Sequence, residues 1–152
     1  MKIDSFKEEN YYLSSFFERP VEYEGILYQN NEAAFQAQKC SSYEDRKAFA
    51  SLNASEAKHL GRSIHLRKDW ENIKFRIMQE IVTEKFAQNE DLAEKLLSTG
   101  DAYLEEGNTW GDRIWGTVDG QGQNLLGQIL MSVREQLLQK ANEVDSSEHD
   151  FQ

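Results

Sequence analysis

Between residues 68 and 88 the apolar side chains Trp70, Ile73, Ile77, Ile81 and Phe86 recur at spacings of about 3.6 residues, with charged residues between them. That period predicts one long amphipathic helix whose apolar face must be covered by other helices or by a small sheet. The rest of the chain punctuates itself in the same way. Asn30 or Asn31 reads as the cap of a helix to about Cys40, a shorter helix is predicted over 43–52, and Ser55 caps another that Gly61 stops. Helices are also predicted over 91–98 and 125–141, the last carrying Leu126, Leu130, Val133 and Leu137 on one face. Only the front reads as β: residues 10–17 are aromatic and strand-like, and 21–28 alternate about Gly25 as a tight hairpin. The expected class is α+β, mainly α. One compact helical domain spans 1–141, with a small β-hairpin component near the N-terminus, and an acidic, disordered tail follows over 142–152.

Composition narrows the chemistry. The chain has one cysteine, Cys40, and three histidines. It forms no internal disulfide and shows no zinc-ligand spacing, so neither a metal nor a cofactor is expected. No apolar run approaches the ~18 residues needed to span a bilayer, and the first residues lack the apolar stretch of a signal peptide. A cytoplasmic protein without a membrane partner is expected. The net charge is −10, yet residues 58–76 hold Lys58, Arg62, Arg67, Lys68, Lys74 and Arg76 against Asp69 and Glu71. Broad coating of nucleic acid needs many phosphate contacts and is disfavoured. The basic stretch is either a site for one or two phosphates or a solvated helix face of paired charges. Nothing in the sequence speaks to oligomeric state.

Three segments carry candidate chemistry. Glu32, Gln36 and Lys39 stand at i, i+4 and i+7 and share a helix face, while Ala33, Ala37 and Cys40 share another. Either a carboxylate, an amide and an amine are brought together there, or Glu32 only complements the helix N-terminus and Lys39 is solvated. Residues 101–123 hold five glycines and two tryptophans with no helical period. Trp110 and Trp115 beside Glu105, Glu106, Asp112 and Asp119 suit a flat base and a sugar, or else form a packed structural loop. The glycines between Asp119 and Asn124 either expose backbone N–H groups to an anion at a helix start or serve as a connector. No acid–histidine triad spacing, phosphate-loop or dinucleotide fingerprint is present.

These blocks occur in an order that resembles the NADAR family over about residues 10–138. They are Tyr12-Leu-Ser-Ser-Phe-Phe with Pro20-Val, Asn31-Glu-Ala-Ala-Phe-Gln-Ala-Gln-Lys, Ala57-Lys-His-Leu-Gly-Arg62, and Leu66-Arg-Lys-Asp-Trp70 with Lys74 and Met78. Then come Lys85-Phe, Leu97-Ser-Thr-Gly, Glu106-Gly-Asn-Thr-Trp-Gly-Asp112 with Trp115-Gly116, and Gly122-Gln-Asn-Leu-Leu-Gly127 with Leu130-Met-Ser-Val-Arg134. Many relatives have histidine where Ala33 stands here.

The resemblance implies a YbiA-like fold and an N-glycosidase. It implies hydrolysis of the C1′–N bond of a phosphorylated ribosylamino-pyrimidine of riboflavin synthesis, giving ribose 5-phosphate and a pyrimidine. The alternatives it leaves open are removal of ADP-ribose from guanine in DNA or RNA, or a non-catalytic module that binds ADP-ribose or a nucleotide. Breaking C1′–N builds positive charge on the ribose, so a carboxylate is expected near C1′ and a proton donor near the leaving nitrogen. The expected catalytic residues are Glu32, with Asp112 or Asp119 as the second acid/base group, and Lys39 as ligand or nucleophile. Lys58 and Arg62 are expected to hold phosphate, Trp70 and Trp115 to stack on the base, and Glu106, Gly116 and Asn124 to contact the substrate. Trp70 equally fits the core stripe of its helix.

Overall fold

A computed structural model describes residues 1–150. In chain order it contains strand β1 (Lys2–Ile3), a 3-10 helix (Glu8–Leu13), and strands β2 (Val21–Tyr23) and β3 (Ile26–Tyr28). Helices α1 (Asn31–Ala37), α2 (Tyr43–Lys47), α3 (Ala54–Gly61), α4 (Trp70–Gln88) and α5 (Glu90–Ser98) follow, then strand β4 (Tyr103–Leu104) and helix α6 (Leu125–Asp150). The class is α+β, mainly α. The chain gathers into two compact units, Phe6–Gln88 and Met1–Ser5 with the chain from Asn89 onward. Among the described residues, no helix is long and apolar enough to cross a membrane.

In Phe6–Gln88 the hairpin forms as the alternation predicts. β2 and β3 pair antiparallel with Val21 opposite Tyr28 and Tyr23 opposite Ile26, and these four side chains are buried. Glu24 (φ 51°) and Gly25 (φ 82°) both take left-handed backbone, as a two-residue turn matched to strand twist demands. The strand expected over 10–17 is a 3-10 helix instead. Tyr12 and Leu13 are neighbours and both buried, which a strand with alternating faces does not permit. Ser14 then turns the chain by accepting the Phe16 N–H at its Oγ.

Asn30, not Asn31, caps α1, its Oδ1 accepting the Ala33 N–H at 2.7 Å. Three alanines keep α1 thin, and all seven of its residues are buried. The helix ends at Ala37, short of the expected Cys40, and the chain continues in turns through Lys39 and Cys40. α2 likewise stops at Lys47, before the expected residue 52. α3 starts from Asn53 rather than Ser55, because Asn53 and Glu56 form a reciprocal capping box that satisfies two backbone donors at once. α4 buries Trp70, Ile77, Met78, Ile81, Val82 and Phe86, close to the predicted stripe. Each such side chain contributes about 1.5–3 kcal/mol on burial. α4 holds β2 at two places. Tyr23 Oη donates to Glu80 at 2.7 Å, and the Gln88 amide bonds both backbone groups of Glu22 at 2.8 Å.

Lys85, 3% exposed on α4, donates from Nζ to the carbonyls of Tyr12 and Ser14 and lies near the rings of Phe17 and Phe86. It satisfies two carbonyls at the end of the 3-10 helix. Burial, with Arg19 nearby, pushes its pKa down from 10.5 to about 7. The folded state therefore binds the proton less well than the unfolded chain does. The linked stability is full above pH 10.5 and is lost as the pH falls toward 7. Urea melts of wild type and Lys85→Met should diverge over that window, the wild type gaining on the variant as pH rises. A difference that stays constant with pH overturns the assignment.

In the second unit β1 pairs with β4 in parallel, Lys2 opposite Tyr103 and Ile3 opposite Leu104. Strands of two residues are too short to carry a period along the chain. α5 packs on α6, with Leu92 and Leu96 buried on one and Leu126, Ile129, Leu130 and Val133 on the other. Arg134 secures the end of α5, donating to Thr99 Oγ1 at 2.9 Å and to the Ala102 carbonyl at 2.8 Å. α6 passes the expected end at Ala141 and continues to Asp150, there being no glycine or proline in 142–150 to stop it. Of the tail expected over 142–152, residues 151–152 lie outside the described residues.

Candidate active site

Of the three residues expected to share a helix face, Glu32 and Gln36 lie on α1 and Lys39 lies just beyond its end. Glu32 is 9% exposed, with its backbone N–H donating to the Ser15 carbonyl at 3.0 Å. Its Oε1 accepts from Gln36 Nε2 at 2.9 Å, one turn along the helix. The Gln36 Oε1 is buried and has no hydrogen-bond partner, as is Asn31 Oδ1. Lys39 follows in the turn after α1, held by its N–H to the Gln36 carbonyl at 3.2 Å and by its own carbonyl, which accepts the Arg67 N–H at 3.0 Å. Lys39 Nζ donates to the Gly61 carbonyl at 3.4 Å.

Burial holds the Lys39 amine below its usual pKa of 10.5. Glu32 opposes that shift, and Arg62 and Lys74 reinforce it. Each of these charges is therefore close enough to act on the amine. Lys74 is also paired to Glu71 at 2.6 Å. Lys58, expected to share a phosphate with Arg62, lies over the Phe16 ring at 5.7 Å from its centroid. Trp70 takes the core alternative: it is 4% exposed, and its ring packs on Phe35 with centroids 5.1 Å apart. A ring enclosed in this way presents no open face for stacking on a base.

The glycine-rich segment is held by its own polar side chains. Asp112 Oδ1 accepts the N–H groups of Ile114 (3.0 Å) and Trp115 (2.9 Å), and Asn108 bonds both backbone groups of Asp112. Gly116 is buried, and a methyl there would overlap the Glu106 carbonyl and lie 2.8 Å from Asn108 Nδ2. Glu106 donates its N–H to Asn124 Oδ1 at 2.9 Å, and the Asn124 amide donates to the Leu104 carbonyl at 2.9 Å and to Tyr103 Oη at 3.3 Å. Asn124, 2% exposed, thus spends its donors and one acceptor position on the loop, which accounts for it without a substrate. Asp119 (φ 53°) and Gly120 (φ 77°) form the left-handed pair of a tight turn between Val118 and Gln121. Glu105 is tied to Thr117 Oγ1 at 2.6 Å and to Lys2 at 2.9 Å, both of which hold its carboxyl below the ordinary value. Trp110 is 58% exposed and Trp115 half-buried.

The anion cradle read between Asp119 and Asn124 is not available. The N–H groups of Gln123, Asn124, Leu125 and Leu126 donate to the carbonyls of Arg113, Gly116, Ile114 and Trp115. The start of α6 is thus satisfied by its own loop, and the glycines serve the connector. Among the described residues, no group of three or more His, Cys, Asp or Glu side chains is placed to share a metal ion.

The NADAR domain profile matches residues 4–138. The chain belongs to the NADAR family. A riboflavin biosynthesis protein of Vibrio vulnificus is 38% identical over 139 residues, covering 88% of this NADAR chain but 38% of the Vibrio protein. The N-glycosidase YbiA of Escherichia coli is 37% identical over 128 residues, 82% of this chain and 79% of YbiA. An N-glycosidase of Nostoc punctiforme is 37% identical over 131 residues, covering 82% of this chain and 83% of the relative. The fold is similar as well: an NMR structure of E. coli YbiA matches with a TM-score of 0.82 and 33% identity over 94% of this chain and 87% of that one.

Three further residues of this NADAR chain sit at the α1 site, and they were legible in the sequence to different degrees. Gln36 was visible as the partner of Glu32 at i+4. Lys74 was visible as one of six cations and in a block of the family resemblance, but nothing in spacing says which cation acts on Lys39. Gly61 read as a helix stop and is also an acceptor for Lys39.

Proposed function

We propose that this NADAR chain is an N-glycosidase that hydrolyses the C1′–N bond of a phosphorylated ribosylamino-pyrimidine to ribose 5-phosphate and a free pyrimidine. The observation that carries the reading is a pair at the end of α1: a buried carboxylate on the helix, Glu32, held by Gln36, and a partly buried amine in the turn that follows, Lys39, within its electrostatic reach. A carboxylate so placed stabilises the positive charge that develops at C1′ as the bond to nitrogen breaks. The electron pair of that bond leaves with the pyrimidine nitrogen, which takes up a proton. Arg62 and Lys74, the cations that act on Lys39, are the groups proposed to receive the substrate phosphate.

Lys39 completes the reaction by one of two routes. In one, its ammonium holds the substrate while Glu32 takes a proton from the attacking water. In the other, its neutral amine attacks C1′ as the nitrogen leaves, the ribose ring opens to an imine, and water releases ribose 5-phosphate and the free amine. The roles expected of Glu106, Asp112, Trp115, Gly116, Asp119 and Asn124 are not needed for this proposal, which rests on residues of Phe6–Gln88 alone. The proposed compartment is the cytoplasm, in keeping with one buried cysteine and no disulfide.

Offering the full chain a ribosylamino-pyrimidine phosphate and an ADP-ribosylated guanine oligonucleotide side by side tests the reading. Release of ribose 5-phosphate from the first is the expected result. Turnover confined to the oligonucleotide reassigns the leaving group to guanine, and binding without turnover of either makes the chain a recognition module.

A further inference from the structure

Gly61 closes α3 without needing to be glycine for its backbone, since it is absent from the positions with positive φ. An alanine there would favour the helix by up to about 1 kcal/mol. Its lack of a side chain has another use. A methyl on Gly61 would overlap Gln36 Oε1, lie 2.6 Å from Gln36 Cδ and 3.2 Å from its Cβ. The carboxamide of Gln36 therefore occupies the space a side chain on Gly61 would take, while the Gly61 carbonyl accepts from Lys39 Nζ at 3.4 Å.

The amide has one orientation that works. With Nε2 toward Glu32 it donates to the carboxylate at 2.9 Å; turned over, it would set oxygen against oxygen. The retained orientation leaves Oε1 buried without a donor, a costly arrangement in a protein interior. An orphaned acceptor, and a glycine where alanine would suit the helix better, both follow if the requirement is to hold Glu32.

We propose that Gly61 and Gln36 are positioning residues: Gly61 seats the Gln36 amide, the amide fixes the Glu32 carboxylate, and the Gly61 carbonyl fixes Lys39, so that one backbone position sets the geometry of the pair. The kinetic consequence rests on the glycosidase reading; the geometry does not.

Gly61→Ala, Gln36→Ala and the double variant, each made in the full 15N-labelled chain, test the proposal on two readouts. The Gln36 side-chain NH2 signals are identified by their loss in Gln36→Ala. They should move in Gly61→Ala toward the positions of solvent-exposed glutamines, and unmoved signals overturn the proposal. In turnover of the ribosylamino-pyrimidine phosphate, Gly61→Ala should lower kcat by about 10- to 100-fold, with KM within about threefold of wild type. Because the methyl acts through the amide, the double variant should be no slower than Gln36→Ala alone; losses that multiply overturn the proposal. If Gly61→Ala does not fold, the double variant, in which only the Cβ of residue 36 remains near the methyl at 3.2 Å, must fold, and its failure is equally fatal. If wild type turns over no substrate, the glycosidase reading fails and the NMR comparison alone decides the positioning claim.

Discussion

Glu32→Gln is expected to lower kcat by about 10²–10⁴-fold while leaving the fold intact, because a positioned acid or base supplies about that factor. The substitution is nearly isosteric, so the core around α1 should not notice it. Gln36 can still donate to an amide oxygen at position 32, which keeps the contact along α1 and removes only the negative charge. What disappears is the group that meets positive charge at C1′, and a loss confined to the transition state shows in kcat with KM little changed. Single-turnover release of the pyrimidine from the phosphorylated riboside is the measurement, with far-UV circular dichroism confirming the fold. Turnover within a few-fold of wild type would remove Glu32 from the chemistry, and with it the observation on which the proposed function stands.

Lys39→Met should be as damaging, and Lys39 offers a sharper discrimination between the two routes. If the amine attacks C1′, borohydride added during turnover reduces the imine and leaves the ribose phosphate covalently attached to Lys39. Mass spectrometry should then show the adduct on wild type and none on Lys39→Met. The same route fixes the sign of the pH dependence. Only the neutral amine is nucleophilic, so the rate rises with pH and levels off above the pKa of Lys39, which burial, aided by Arg62 and Lys74, holds below 10.5. Lys39→Arg keeps the charge and cannot form the imine; it should retain activity only if the lysine merely holds substrate. Absence of an adduct together with an active arginine variant would assign Lys39 to binding and leave the attacking water to Glu32.

How much of this was legible beforehand depended on whether a feature repeats along the chain. The α4 stripe, the hairpin about Gly25 and the helix face shared by Glu32 and Gln36 are periodic or bounded by turn residues, and local sterics impose them wherever they occur. Caps were found to within a residue or two: Asn53 prevailed over Ser55 because Glu56 could answer it. The front segment was misread because aromatic residues favour strands in general, while here Tyr12 and Leu13 had to be buried together.

The sequence by itself determined the helical class, the hairpin and the placing of a carboxylate and an amide one turn apart on a short helix, since each follows from backbone periodicity and turn chemistry within a few residues. Tertiary structure alone decided which cations reach Lys39, that Trp70 packs on Phe35, that the donors before α6 are spent on the carbonyls of 113–116, and that Gly61 carries the Gln36 amide. These are matters of distance between residues far apart in the chain. Such distances are set by how side chains fill a shared interior, and spacing along the backbone carries no record of that packing.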